Sequence, residues 1–185
     1  MNVLFEEDGH FRAGSVLADS VASLQVELPS GKRSKVKAAN VLLRFASPDA
    51  SALIAGAESQ AAELDAPFLW EVCGDDEFTF EELAREYHGA APDAVQAAAI
   101  LLCLHSAPVY FHRKGRGRFR KAPPDILKAA LAGQEKKRQQ QQQVDAWVAE
   151  LQDGRTPPEI AACCAQILYK PDRNRLETKA VEAAA

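Results

Sequence analysis

Residues 109–121 read Val-Tyr-Phe-His-Arg-Lys-Gly-Arg-Gly-Arg-Phe-Arg-Lys, and this stretch decides how the rest of the chain is interpreted. Aromatic and polar residues alternate on both sides of Gly115-Arg116-Gly117, a pattern that predicts two strands joined by a flexible turn. Six cations fall within nine residues with no acid among them: Arg113, Lys114, Arg116, Arg118, Arg120 and Lys121. Because such cations repel one another, an anionic ligand is their natural complement.

Two helices are predicted directly before this hairpin. Thr79-Phe80-Glu81-Glu82 has the pattern of a capping box, and Gly89 supplies the expected helix stop. The next helix starts near Pro92-Asp93, is apolar almost all round, and ends before Pro108. An earlier helix is predicted over 48–64, with Ser47 as its N-cap. Three helices followed by a hairpin are typical of a winged helix, which we expect over residues 47–122.

The first 46 residues have the period of β-strands. Short runs of alternating apolar and polar residues are separated by turn sequences, Asp8-Gly9 and Pro29-Ser30-Gly31-Lys32. We therefore expect about five strands in a small antiparallel, barrel-like β domain over residues 1–46. One of its hairpins carries four further cations, Lys32, Arg33, Lys35 and Lys37. These are either a solvated face that protects a sheet edge or a second phosphate contact.

Residues 123–185 are expected to form a helical extension. Pro123-Pro124-Asp125 opens a long helix whose centre, Gly133 to Gln143, contains five consecutive glutamines and no buried face. Either one helix crosses this stretch through solvent, or the chain breaks near Gly133. Thr156-Pro157-Pro158-Glu159 has the pattern of another capping box, and a last helix is predicted over 174–184. Residues 65–77 are expected to be an irregular connection, because Pro67 and Gly74 interrupt the helical pattern.

The composition is that of a folded α+β protein with one or two small domains. The 185 residues are 47% hydrophobic and 26% charged, and the net charge is −4. The sequence contains no apolar run long enough to cross a membrane and no signal peptide, so no membrane partner and a cytoplasmic location are expected. The four cysteines lack the spacing of a zinc ribbon or a redox dithiol and are expected to be reduced thiols.

No catalytic or metal-binding pattern is recognisable in the sequence. The four histidines are scattered, and none accompanies a nucleophile motif. Asp75-Asp76-Glu77 are adjacent acids that suit a helix N-terminus better than a Mg²⁺ site. We therefore assign no catalytic residue, no metal ligand and no cofactor to this chain, although an enzyme in its own right remains one alternative.

Nucleic acid is the anion that best fits the hairpin. Its cations would contact phosphates, while Tyr110 and Phe119 would offer faces on which bases stack. The preceding helix offers few base-reading side chains, namely Asp93, Gln96, His105 and Ser106. This favours single-stranded RNA over sequence-specific duplex DNA. Three alternatives stay open: a solvated hairpin with its aromatic residues in the core, a winged-helix transcription regulator, and a protein-interaction module built on the glutamine-rich helix.

Four stretches resemble the N-terminal region of bacterial ribonuclease II family exoribonucleases of the proteobacterial type. They are MNVLFEEDG (1–9), GKRSKVKAANVLLRF (31–45), LLCLHSAPVYFHRKGRGRFRKAPPDILKAALAG (101–133) and LYKPDRNRLETKA (168–180). The resemblance implies 3′→5′ degradation of single-stranded RNA by a Mg²⁺-dependent domain with several catalytic aspartates. Those aspartates have no match in these residues, so no catalytic role is carried over.

The resemblance therefore implies a non-catalytic module that binds RNA and guides it to an active site elsewhere. Its implied partners are single-stranded RNA and the enzyme's own catalytic domain, which would hold the Mg²⁺. We accordingly expect the chain to be the N-terminal part of a longer protein.

Overall fold

The computed structural model describes residues 1–89 and 91–185, which divide into two compact units, Met1–Pro123 and Pro124–Ala185. The strands of the first unit are β1 (Asn2–Glu7), β2 (His10–Asp19), β3 (Ser23–Glu27), β4 (Arg33–Lys37), β5 (Val41–Phe45), β6 (Phe78–Thr79), β7 (Phe111–Gly115) and β8 (Arg118–Lys121). Its helices are α1 (Ala50–Glu63), α2 (Ala66–Val72), α3 (Phe80–His88) and α4 (Ala94–Ser106), and a short 3₁₀ turn spans Ala38–Asn40. The second unit contains α5 (Pro124–Gln152), α6 (Pro158–Ala162), α7 (Cys164–Tyr169) and α8 (Leu176–Ala184).

The first five strands form one antiparallel sheet in the order β4-β3-β2-β1-β5. Strands β4 and β5 are its edges, and no pairing between these two strands occurs in residues 1–89. The predicted α+β class and the five strands of the N-terminal segment are thereby confirmed.

The two faces of this sheet bury different apolar clusters. Val3 and Phe5 of β1 point to one face, where they pack with Leu24, Val26, Leu28 and Val36. Leu4 points to the other face and joins the helical core, because neighbouring residues of a strand alternate in direction. That second cluster runs from the sheet through α1, α3 and α4 to the hairpin strands β7 and β8. One continuous core therefore holds the basic hairpin against the rest of the first unit.

Two helix starts in the first unit agree with their sequence signals. The Thr79 hydroxyl accepts a hydrogen bond from the Glu82 N–H at 3.2 Å, and the Glu82 carboxylate accepts one from the Thr79 N–H at 2.7 Å. Asp93 and Gln96 make the same reciprocal pair at the start of α4. Gly89 ends α3 with a φ of 97°, a conformation that glycine adopts without the clash of a Cβ atom.

Two other expectations for this unit were wrong. The N-cap of α1 is Asp49 rather than Ser47, so the helix begins at Ala50. Residues 66–72, expected to be irregular, form helix α2. Asp65 caps this helix by accepting a hydrogen bond from the Phe68 N–H at 3.4 Å. Pro67 lies in the first turn, where a missing N–H costs nothing.

The second unit is built on a helix of 29 residues, α5, which settles the alternative left open at Gly133 in favour of a continuous helix. Local side-chain pairs support its glutamine-rich centre, including Glu135 with Arg138 and Gln141 with Asp145. The apolar cluster of this unit contains Val144 and Trp147 of α5 with Ile160 and Ala180. The predicted capping box at Thr156 was wrong, because Pro157 is the N-cap of α6 and no side chain caps it.

Candidate nucleic-acid interface

The basic hairpin is the pair β7–β8, in the three-stranded order β6-β8-β7. Its strands alternate as the sequence pattern predicted, with Phe111 and Phe119 pointing inward at 1% and 2% exposure. Arg118 and Arg120 point outward. The stacking role expected for Phe119 is corrected by this burial, since a ring in the core has no face open to a base. Tyr110 is half-buried and packs against the same core.

Gly117, at the tip of this hairpin, is tightly held rather than flexible. It is buried, with a φ of 63°, and its carbonyl oxygen accepts a hydrogen bond from the Phe80 N–H at 3.0 Å. A Cβ atom at this position would lie 2.9 Å from Cδ1 of Phe80. The packing therefore allows only glycine here and gives the basic residues around it a defined placement.

Two hairpin arginines are attached to the five-stranded sheet. Arg113 Nη1 donates to Glu6 Oε1 at 3.0 Å, and Arg113 Nη2 donates to Glu6 Oε2, which makes a two-pronged ion pair. This hydrogen bonding lowers the pKa of Glu6 despite the opposing effect of burial. Arg116 Nη1 donates to the carbonyl oxygen of Ala39 at 2.7 Å and to the side-chain oxygen of Asn40.

Two further cations of the hairpin bind the segment that follows α2. Arg120 Nε donates to the carbonyl oxygen of Asp75 at 3.1 Å. Lys121 Nζ donates to the carbonyl oxygen of Cys73 at 3.0 Å, pairs with Asp75 Oδ1 at 2.9 Å, and lies 5.5 Å from the centre of the Trp70 ring. Four of the six predicted phosphate-binding cations therefore have partners inside the protein.

Lys114 and Arg118 are the hairpin cations that face solvent. Both are exposed, and neither makes an ion pair or a side-chain hydrogen bond with any residue in 1–89 or 91–185. They are the members of the predicted set that keep no direct partner within the described residues, although the charge of Arg118 also acts on the nearby Glu82.

The second predicted group of cations lies on the edge strand β4. Arg33, Lys35 and Lys37 alternate with Ser34 and Val36 and so share one face of the strand. The two lysines are exposed, as is Lys32 in the preceding turn. Arg33 is also exposed and lies 3.9 Å from a carboxylate oxygen of Glu27, too far for a strong hydrogen bond.

The contact of Arg116 brings these two groups together. Its partners Ala39 and Asn40 belong to the turn that directly follows Lys37, so the hairpin tip lies beside the end of β4. Arg116 is thus held two residues beyond Lys37, although the two cations are more than 70 residues apart in sequence. The basic surface, as we define it, consists of Lys32, Lys35, Lys37, Lys114 and Arg118, and Arg116 joins its two halves.

Sequence reasoning missed the groups that hold the hairpin in place. Glu6 and Asn40 carry no local signal for this role, since each lies in an ordinary strand or turn sequence and its partner is 107 or 76 residues away. The one sequence feature that indicated such partners was the excess of cations in the hairpin, because clustered cations need anionic or carbonyl groups near them.

Helix α4 presents almost no polar side chains to solvent. Its central residues, 97–101, are buried between α1, α3 and the strands. Only the ends are exposed, at Asp93, His105 and Ser106. An acidic residue at one end and two short polar residues at the other cannot read a series of base edges in a major groove.

Within residues 1–89 and 91–185, no three His, Cys, Asp or Glu side chains are placed to hold a metal ion. In the same part of the chain, no helix is both long and apolar enough to cross a membrane. Comparisons of the chain with protein-family models, with curated proteins and with solved structures found no match.

Proposed function

We propose that this chain binds single-stranded RNA as the non-catalytic N-terminal module of a ribonuclease II family 3′→5′ exoribonuclease. The observation that carries the proposal is the contact of Arg116 with Ala39 and Asn40, which joins the hairpin tip to the end of the lysine-bearing strand β4. A row of cations on a strand edge and a neighbouring hairpin suits a flexible, extended polyanion, because each cation neutralises one phosphate along the path.

The order of elements supports a winged helix for residues 47–122. Helices α1, α3 and α4 precede β7 and β8, and the short strand β6 lies before α3. In the sheet, β8 lies between β6 and β7, so the hairpin would be the wing. A barrel-like curl of residues 1–46 is supported by a hydrogen bond of 3.2 Å from Ser34 of β4 to Glu7 of β1, since two strands lie between these in the sheet order.

The buried centre of α4 favours a single strand over a duplex. A winged helix that reads DNA inserts its recognition helix into the major groove, whereas α4 packs against α1 and α3. The transcription-regulator alternative is weaker for this reason. The resemblance of the sequence to the ribonuclease II family supports RNA as the ligand, with the catalytic domain and its Mg²⁺ outside these residues and a cytoplasmic location.

The test is fluorescence anisotropy of a labelled single-stranded RNA titrated with the 185-residue chain over a range of salt concentrations. If each of the five cations of the basic surface neutralises one phosphate, log K falls with log salt with a slope of about −3.5, since one contact contributes about −0.7. A slope near zero, or tighter binding to a duplex of equal length, would overturn the proposal.

A charge-matched pair of variants locates the binding. One variant replaces Lys35, Lys37, Lys114 and Arg118 by glutamine, and the control replaces Lys128, Lys136, Lys137 and Lys179, which are exposed residues of the second unit. Both lose four positive charges. The first is expected to lose most of the affinity and most of the salt dependence, and the control to retain both. An equal loss of affinity in the two variants would mean that RNA binding depends on the net charge of the chain and not on the basic surface.

A further inference from the structure

Three large apolar side chains remain exposed on helices α2 and α3. Phe68, Val72 and Tyr87 are 47%, 52% and 39% exposed. Phe68 and Val72 are four residues apart and lie on the same side of α2. Phe68 meets Tyr87 edge to face with ring centres 6.3 Å apart, so the two helices offer one surface, which we call the aromatic patch. Contiguous exposed apolar groups of this kind mark interaction sites.

The aromatic patch lies among acidic side chains. Asp65 caps α2, Glu71 lies between Phe68 and Val72 on the same helix, and Glu86 precedes Tyr87. Glu63 lines the cavity beside Tyr87. All four are exposed, and none forms an ion pair with another residue in the part of the chain described. Arg85 and His88 are the basic residues in the last turn of α3, so the acids outnumber the cations here. A surface with an excess of acids disfavours phosphates.

A cavity of about 270 Å³ opens next to the patch. Leu64 and Ala99 provide apolar lining, and Tyr87 lies at its border with the patch. Its other lining side chains are polar, namely Gln60, Glu63, His88 and Gln96. The cavity therefore suits the end of a long polar or basic side chain of a partner, while the exposed rings of the patch suit its apolar side chains.

We propose that the aromatic patch docks a basic amphipathic helix of another protein. A helix laid across α2 and α3 presents apolar side chains at positions i, i+3, i+4 and i+7, which match the exposed apolar side chains of the patch. Lysine or arginine residues flanking that stripe complement Glu63, Asp65, Glu71 and Glu86. The proposal is independent of RNA binding, since none of these residues belongs to the basic surface.

The probe is a synthetic amphipathic peptide of about 15 residues, near the shortest length at which helices are stable in water. Its apolar face is leucine and its other positions are lysine; a partner peptide carries glutamate in place of lysine. Binding is followed by calorimetry and by backbone amide NMR of the full chain. We expect saturable binding of the lysine peptide, with shifts centred on α2 and α3, and at least tenfold weaker binding of the glutamate peptide.

Two variants make the test specific. The double variant Phe68→Ser/Tyr87→Ser changes exposed positions only and is expected to weaken binding of the lysine peptide at least tenfold, as the loss of central aromatic contacts does at other interfaces. The control variant Leu17→Ser/Val21→Ser removes two exposed apolar residues, one in β2 and one in the connection to β3, and is expected to bind normally. Unchanged binding by the first variant, shifts centred elsewhere, or equal binding of both peptides would overturn the proposal. RNA-induced shifts on α2 and α3 would overturn it as well.

Discussion

Glu6 of β1 and Arg113 of β7 are 107 residues apart in sequence and form a two-pronged ion pair that attaches the basic hairpin to the five-stranded sheet. The Glu6 side chain is 12% exposed, whereas that of Arg113 is 40% exposed. Loss of the ion pair would therefore leave a largely buried carboxylate without a partner, whereas water would still solvate the more exposed guanidinium. This makes Arg113 a structural residue first, whatever its role toward RNA.

Replacing Arg113 by alanine is expected to lower the free energy of unfolding by about 1 kcal/mol at pH 7, because a largely buried carboxylate loses its partner while solvent screens part of the effect. Arg113 lowers the pKa of Glu6, so this stabilisation is present above the carboxyl's unfolded pKa of about 4.3 and is lost as the pH falls through the lower folded value. Urea unfolding of the wild type and of Arg113→Ala, from pH 7 downward, measures this difference in the free energy of unfolding. Arg12→Ala, which removes the more exposed pair with Glu7, serves as control and should cost less. A difference between wild type and Arg113→Ala that grows toward acid pH would contradict the assignment.

Arg118 and Arg113 are expected to differ in RNA binding. Arg118→Gln should reduce the magnitude of the salt slope by about 0.7, since an exposed cation loses one phosphate contact. The double variant Glu6→Gln/Arg113→Gln keeps the net charge and should leave the slope unchanged. Anisotropy titrations over salt compare the two. If the double variant loses slope and Arg118→Gln does not, the division between structural and RNA-contacting arginines is wrong.

The two glycines of the hairpin turn are expected to respond differently to alanine. At Gly117 the left-handed backbone and the contact with Phe80 both oppose a Cβ atom, so Gly117→Ala should destabilise the protein by about 3 kcal/mol. At Gly115 the nearest atom to a new Cβ is 3.9 Å away, an ordinary contact, and Gly115→Ala should change stability little. Chemical denaturation of the two variants gives the comparison. Similar stability of the two would show that the turn is not held as the structure has it.

The capping box at the start of α3 is expected to contribute about 1 kcal/mol through the Thr79 hydroxyl. Thr79→Ala should show this loss in thermal or urea unfolding, and Thr79→Ser, which keeps the hydroxyl, should recover most of it. The hydrogen bonds from Thr79 lower the pKa of Glu82, so the contribution of that carboxylate is complete near neutral pH and declines in acid. Equal stability of the alanine and serine variants at pH 7 would exclude the hydroxyl as the cap.

The four cysteines are expected to fall into two reactivity classes. Cys73 and Cys103 are buried, and burial raises the pKa of both thiols. Cys164 is exposed. Brief treatment of the native protein with iodoacetamide near pH 8 should therefore label Cys164 first and leave Cys73 and Cys103 intact until the protein unfolds. Peptide mass spectrometry gives the order. Early labelling of Cys103 would contradict the packing of α4.

The elements with strong local signals were predictable from sequence. The capping box at Thr79 and the glycine stop at Gly89 depend on hydrogen bonds between residues a few positions apart, which local sequence encodes directly. Helix α2 was missed because its local sequence signal is ambiguous. Pro67 is read as a helix breaker in sequence, and only the position of the cap at Asp65 shows that it lies in the first turn.

The candidate site was only partly predictable. The sequence identified all the cations of the hairpin and of residues 32–37, because charge and alternation are visible residue by residue. It could not show which of them are already bound within the protein. The partner of Arg113 lies in the five-stranded sheet and those of Arg116 in the turn before β5, and packing of the shared core brings them near. Because the residues of a strand alternate in direction, the outward cations imply an inward Phe119. Only the packed core shows that this ring is as little as 2% exposed.

By itself the sequence determined the basic hairpin, the five strands before residue 47 and the helices with strong local signals, since hydrophobic period, turn residues and caps act over a few residues. Tertiary structure alone decided which charges have partners. It paired Glu6 with Arg113, attached Arg116 to the turn after β4, and left Lys114 and Arg118 exposed. The physical reason is that an ion pair depends on distance in space. Only the folding of the sheet against the hairpin sets that distance for residues that are far apart in the chain.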